Sequence, residues 1–133
     1  MLCFDANPAQ WAAPMRLIRI PTYRRKGIAM APHLTYFKMR AKPGERQEVI
    51  NHFHLWLTDR RPDVGGFIRV VLSSNVKDPD EFMAYAMFAD KATCDANSND
   101  PAQDAWYETL RSHLVSEPEW FDGTCELQRM GQV

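Results

Sequence analysis

Hydrophobic positions change their spacing several times along this chain, and each change marks an element. The run Leu34-Thr-Tyr-Phe-Lys-Met-Arg alternates. That predicts a first strand, with Leu34, Tyr36, Lys38 and Arg40 on one face and Thr35, Phe37 and Met39 on the other. Pro43-Gly44 closes it. From Glu45 to Arg61 the residues Val49, Ile50, Phe53, Trp56 and Leu57 fall at helical spacing. Glu45 and Glu48 stand early and Arg60 and Arg61 late, where each charge suits the helix dipole. A helix of about four turns is expected. Pro62 ends it, because proline has no amide to donate and restricts the residue before it.

Gly65-Gly66 leads into Phe67-Ile-Arg-Val-Val-Leu-Ser-Ser, a second strand rich in β-branched residues. Asn75 to Asp80 reads as a polar turn. The third strand, Glu81 to Ala89, puts Phe82, Ala84, Ala86 and Phe88 on one side and Met83, Tyr85 and Met87 on the other. Both faces are apolar, so both are expected to be covered. Near Asp90 the period changes from two to about 3.6. Asp90 caps a short helix to about Ala96, and Asp100-Pro101 starts another, with Ala102, Trp106, Leu110 and Leu114 as its core stripe. Glu117-Pro118 breaks that helix. Phe121 to Met130 reads as the last strand, with Gly123 as a bulge or bend.

The order is β-α-β-β-α-β, an α+β, ferredoxin-like arrangement with a four-stranded antiparallel sheet and a split second helix. Helices cover only one face of such a sheet. Phe37, Met39 and Met83 to Met87 are expected to supply an apolar surface on the other, and a second copy would bury it, so a homodimer is expected.

Length and composition narrow this picture. A chain of 133 residues supports one domain with a core of modest size. With 45% hydrophobic and 25% charged residues it belongs with globular rather than disordered chains. Charge divides the chain further. Residues 1–32 carry Arg16, Arg19, Arg24, Arg25 and Lys26 against Asp5 alone, a net +4, which leaves 33–133 at −5 within the total of −1. We therefore divide the chain into a basic N-terminal extension, 1–32, and a folded domain, 33–133. The extension suits an anionic partner, but a solvated arm that lies on its own acidic body is the favoured reading, so neither nucleic acid nor membrane is expected as a partner. Pro8, Pro14 and Pro21 interrupt every candidate signal-peptide core, no apolar run reaches membrane-spanning length, and Met15 and Met30 offer alternative starts. Cys3, Cys94 and Cys125 cannot all pair within one chain and none sits in a Cys-x-x-Cys spacing, which favours free thiols in a cytoplasmic setting. His33, His52, His54 and His113 are scattered, so no metal site is expected.

Several local motifs carry a resemblance. Lys42-Pro-Gly-Glu follows the first strand, Gly65-Gly66-Phe67 precedes the second, and Phe88-Ala-Asp-Lys-Ala is followed by Asp100-Pro at the split helix. Over about residues 33 to 130 the chain resembles the antibiotic biosynthesis monooxygenase family. The resemblance implies a dimeric α/β barrel and, as activity, monooxygenation of a small hydrophobic aromatic or quinone-like compound by O2 without metal or flavin. Non-catalytic binding of a small ligand by the same fold is the alternative, and haem binding a third. The haem-degrading branch presents a tryptophan at the end of strand three and an iron-ligating histidine on the next helix. Phe88 and Tyr107 stand at those places here, and Asn97 stands where related oxygenases often have a histidine in the first split-helix segment.

A cofactor-free oxygenase needs an apolar cavity and a group that removes a proton, so that the electron-rich anion can reduce oxygen. His52 and Trp56, at i and i+4, share a helix flank from which both could reach a pocket between helix and sheet. His52 and His54 are the candidate bases, since imidazole accepts a proton near neutrality. Arg69, between Ile68 and Val70, would stabilise an enolate or phenolate if it faces inward. Tyr36, Trp56, Tyr85, Phe88, Trp106 and Tyr107 are the candidate substrate-binding residues, with aromatic walls and phenol donors to a carbonyl or quinone oxygen.

Overall fold

A computed structural model describes residues 31–131. The expected extension, 1–32, lies outside the described residues but for its last two. Residues Pro32–Thr124 form one compact unit. The described residues 125–131 belong to a second unit and contain no helix or strand.

The compact unit contains β1 (His33–Arg40), α1 (Arg46–Leu55), β2 (Phe67–Asn75), β3 (Asp78–Phe88), α2 (Lys91–Ser98), α3 (Pro101–Ser112) and β4 (Glu119–Thr124). The sheet order is β2-β3-β1-β4 and every pair is antiparallel. This is the expected ferredoxin-like α+β fold with its second helix split.

Chain alternation decides which side chains meet the helices. Phe37, Met39 and Ala41 from the first strand and its continuation, with Phe82 and Ala84 from β3, pack against Val49 and Phe53 of α1 and against Leu110 and Leu114. Val49, Phe82, Leu110 and Leu114 are fully buried, and each such side chain contributes about 1.5–3 kcal/mol of transfer free energy. Phe37 and Met39 thus lie beneath the helices, which corrects the expectation that they belong to the uncovered face. That other face carries Leu34, Tyr36 and Lys38 of β1, in register with Met87, Tyr85 and Met83 of β3. Arg69, Val71 and Ser73 of β2 continue the same rows.

Three boundaries differ from the periodicity. The first helix ends its α-helical part at Leu55 and continues as a π-helical turn, Trp56–Arg60, closed by the amide of Arg61 donating to the Trp56 carbonyl. A 3-10 turn, Arg61–Asp63, brings Pro62 in at a position that needs no amide. The third strand begins at Asp78, within the expected polar turn, because Asn75 pairs with Asp78 and shortens the hairpin loop. The last strand runs Glu119–Thr124 rather than to Met130, and Gly123 pairs regularly with Leu34 instead of forming a bulge.

The split of the second helix is built by two caps. The Asp90 side chain accepts from the Thr93 amide at 2.9 Å while Thr93 Oγ1 accepts from the Asp90 amide at 3.3 Å, a reciprocal capping box for α2. Asp100 Oδ1 accepts from the Ala102 amide at 2.9 Å, and Pro101 occupies the first turn of α3. Gly66 seats this junction. Its φ is +77°, its carbonyl accepts from the Ala89 amide at 2.7 Å, and a Cβ there would lie 2.7 Å from Thr93 Cβ. Gly66→Ala is therefore expected to lose about 2 kcal/mol or more, from left-handed backbone strain and the clash with the capping threonine. Equilibrium denaturation checks this, with Gly44→Ala as comparison: Gly44 shares the positive φ, at +80°, but has nothing within 4 Å. Equal losses in the two variants would show that the Thr93 contact contributes nothing.

Candidate functional site

A cavity of about 400 Å³ lies between the helices and the sheet, within the range of small-ligand sites. Strand alternation supplies its floor from the helix-facing side chains: Thr35 and Phe37 of β1, Phe67 and Val70 of β2, Ala86 and Phe88 of β3, and Trp120 of β4. Phe53 and Trp56 from the first helix and its π turn, with Trp106, Tyr107 and Leu110 from α3, form the roof. Trp56 contacts Phe67 with ring centroids 4.8 Å apart, and Phe67 meets the edge of Phe88 at 5.9 Å. Trp120 sits 5.0 Å from Phe37 and 6.0 Å from Tyr107. The walls are flat, apolar and polarizable, and suit a planar aromatic guest.

The polar part of the wall is organised by a buried cation. Arg60 is only 7% exposed, so its guanidinium must be partnered. Its NH2 donates to Asn97 Oδ1 at 2.7 Å, its Nε to Gln103 Oε1 at 3.3 Å, and its NH1 lies 3.5 Å from Asp100 Oδ2. Gln103 Oε1 also accepts from the Trp56 indole at 2.8 Å. The π turn places Trp56 and Arg60 on one flank so that both reach the same amide. Asn97 and Gln103 themselves line the cavity.

A second polar group lies on the wall at Tyr107. Its phenol donates to Glu117, which also accepts from Arg111 Nε at 3.1 Å. Burial, followed by the hydrogen bond to Glu117, pushes the Tyr107 phenol up to about 12, while that hydrogen bond holds the Glu117 carboxyl below its usual range. Tyr107 therefore remains a phenol whose proton is already committed. Cys94, also on the wall, is pushed up to about 11, chiefly by burial and then by Asp122 and Asp95, so it is a thiol rather than a nucleophilic thiolate near neutrality.

Of the residues singled out in the sequence, Trp56, Phe88, Trp106 and Tyr107 come together on the cavity wall. Tyr36 and Tyr85 do not. They lie on the opposite face of the sheet, with ring centroids 5.7 Å apart and Phe121 5.8 Å from Tyr36, because both fall on the other phase of the strand alternation. Arg69 is exposed on that same face, in register with Met87, after a bulge between Phe67 and Arg69 shifts the phase of β2. His54 is exposed on α1. His52 stacks on Trp106 at 4.8 Å and is locked to it from both sides: its Nε2 donates to the Trp106 carbonyl at 2.7 Å, and the Trp106 indole donates to the His52 carbonyl at 3.0 Å. None of the four histidines lines the cavity. The histidine flank thus ties α1 to α3 and positions Trp106 rather than facing a guest.

Sequence reasoning missed Arg60, Gln103 and Glu117. The sequence pattern reads Arg60 as a charge that suits the end of the helix dipole, yet it stands four residues after Trp56, a spacing that repeats the inward face. Among the described residues no group of three or more His, Cys, Asp or Glu side chains could hold a metal ion. No described helix is long and apolar enough to cross a membrane. Because the folded phenol of Tyr107 ionises later than a free one, its contribution to stability is complete below about pH 10 and fades as the pH rises toward 12. An alkaline ultraviolet titration of the wild type minus that of Tyr107→Phe is expected to show a single step centred near 12. A step at the free-tyrosine value would mean that the phenol is neither buried nor bonded to Glu117 in solution.

Similarity to known proteins agrees with this geometry. A search of proteins of curated function finds no match. Among solved structures, a candidate antibiotic biosynthesis monooxygenase from Chloroflexus aurantiacus is 18% identical with a TM-score of 0.63, over 75% of this chain and 98% of that one. One from Caulobacter crescentus is 8% identical with a TM-score of 0.65, over 77% and 97%. A protein of unknown function from Nitrosomonas europaea is 19% identical with a TM-score of 0.63, over 77% and 96%. Identities this low speak for the fold alone. The sequence profile of the antibiotic biosynthesis monooxygenases, by contrast, matches residues 32–109, the stretch that builds most of the cavity, and the chain belongs to that family.

Proposed function

We propose that this protein is a monooxygenase of a small hydrophobic aromatic or quinone-like compound, using O2 as oxidant, with the substrate rather than a cofactor as the source of electrons. The observation that carries the reading is the aromatic-walled cavity of about 400 Å³ between helices and sheet. An anthrone illustrates the chemistry. Loss of a proton gives an electron-rich anion, which O2 oxidises. One oxygen atom becomes the new ring carbonyl, and the other leaves as water with the two hydrogens that the carbon gives up.

Non-catalytic ligand binding is the second reading, and the state of the wall favours it. Tyr107 and Cys94 are held protonated, and the Glu117 carboxylate is paired with Tyr107 and Arg111. A substrate must then be acidic enough to ionise with little help. Oxygen consumption with a panel of anthrones and hydroquinones separates the two. Turnover is expected for compounds that ionise readily, and Ala86→Leu, which fills the cavity floor, is expected to lower kcat/KM at least tenfold, about 1.4 kcal/mol. Binding without oxygen uptake across the panel would leave only the second reading.

We also propose a homodimer formed across the uncovered sheet face. Support comes from exposed Val71, Met83 and Phe121, at 42%, 51% and 64% of their full accessibility, on three strands of one face. Sedimentation equilibrium at micromolar concentration is expected to give twice 15.4 kDa, and the double variant Val71→Lys, Phe121→Glu to give the single mass. A wild type that sediments as one chain would overturn the dimer.

A further inference from the structure

Arg60, Asn97 and Gln103 form a set whose arrangement has a consequence for what the cavity takes. Guanidinium nitrogens and the indole nitrogen can only donate. Asn97 Oδ1 receives Arg60 at 2.7 Å, and Gln103 Oε1 receives both Trp56 at 2.8 Å and Arg60 at 3.3 Å. These donors fix which end of each side-chain amide is oxygen. The NH2 end of each is turned away from the cation, on residues that line the same cavity. Among the described residues neither NH2 has an acceptor. A buried cation, 7% exposed and paired with Asp100 Oδ2 at 3.5 Å, thereby orients two neutral amides whose NH2 groups remain as donors.

We infer that Asn97 and Gln103 are a paired donor site for an exocyclic oxygen of the ligand, a carbonyl or phenolate, with Arg60 as the positioning residue that holds both amides. The inference rests on the reading of the cavity as an aromatic-ligand site and deepens it. It selects, among flat apolar guests, those that carry an oxygen at one edge, and it favours the ionised form of that oxygen. The anion is stabilised at the wall although none of the four histidines is there to remove the proton. Tyr107 does not compete for this role, since its proton is given to Glu117.

The test compares hydroxynaphthoquinone with naphthalene by equilibrium dialysis on the full chain. The wild type is expected to bind the oxygenated probe at least tenfold more tightly, the effect of one or more hydrogen bonds to a charged acceptor. In the double variant Asn97→Asp, Gln103→Glu the oxygens that receive Arg60 and Trp56 are retained, but both cavity donors become acceptors. Its preference is expected to vanish while naphthalene affinity stays within twofold. Gln103→Glu alone, which disturbs the fold less, is expected to lose at least threefold of the preference, and Arg60→Lys, which keeps the charge but frees the amides, to reduce it as well. A purely structural role would weaken both probes together and leave their ratio unchanged, and an unchanged ratio overturns the inference. Wild type that binds naphthalene with no preference sinks the donor pair alone, whereas wild type that binds neither probe sinks the cavity reading and the inference with it.

Discussion

A single buried guanidinium holds the helix layer together. Arg60 leaves the first helix at its π turn and reaches Asn97 on α2, Asp100 at the start of α3 and Gln103 one turn further on. Stripping water from an arginine costs several kcal/mol unless hydrogen bonds replace it, so these contacts constrain three segments at once. The two halves of the split helix cannot drift from the first helix without leaving the charge unpaired. The cavity beneath them keeps its shape for that reason.

The aromatic lock between His52 and Trp106 works beside it. Reciprocal bonds from ring nitrogens to carbonyls join α1 to α3, and Trp106 meets the edge of Phe53 at 5.3 Å. Trp106 is thus held at both its ring and its backbone, while its neighbour Tyr107 is held by Glu117. A wall assembled from side chains fixed in this way is preorganised, and a rigid guest then loses little binding energy to reordering the site. The rings of Trp56, Phe67 and Phe88 extend the same wall across β2 and β3.

Sheet and helices divide the chemistry between them. The floor of the cavity is almost wholly apolar, and its polar groups come from the helices, from the loop at Glu117 and from Thr35. The other sheet face has the opposite character for the same reason of alternation: it exposes Met83, Val71 and Arg69 and leaves Tyr36 and Tyr85 half-buried. One strand, β1, therefore contributes Phe37 to the cavity and Tyr36 to the other surface, one residue apart.

Periodicity by itself determined the order of elements, the split of the second helix at Asp90 and Asp100, and the pairing of strand faces, because local spacing and caps act within a few residues. It also identified Trp56, Phe88, Trp106 and Tyr107 as aromatic residues that could share a wall. It could not decide which phase of each strand meets the helices, since both phases of β3 are apolar and each phase of β1 carries an aromatic residue. Tyr36 and Tyr85 were therefore placed with the cavity, and Phe37 and Met39 away from it. Nor could it distinguish a solvated arginine at a helix end from a buried one. Those assignments depend on contacts between residues far apart in the chain, 37 residues from Arg60 to Asn97 and 54 from His52 to Trp106, and only the folded chain brings such partners within hydrogen-bonding distance.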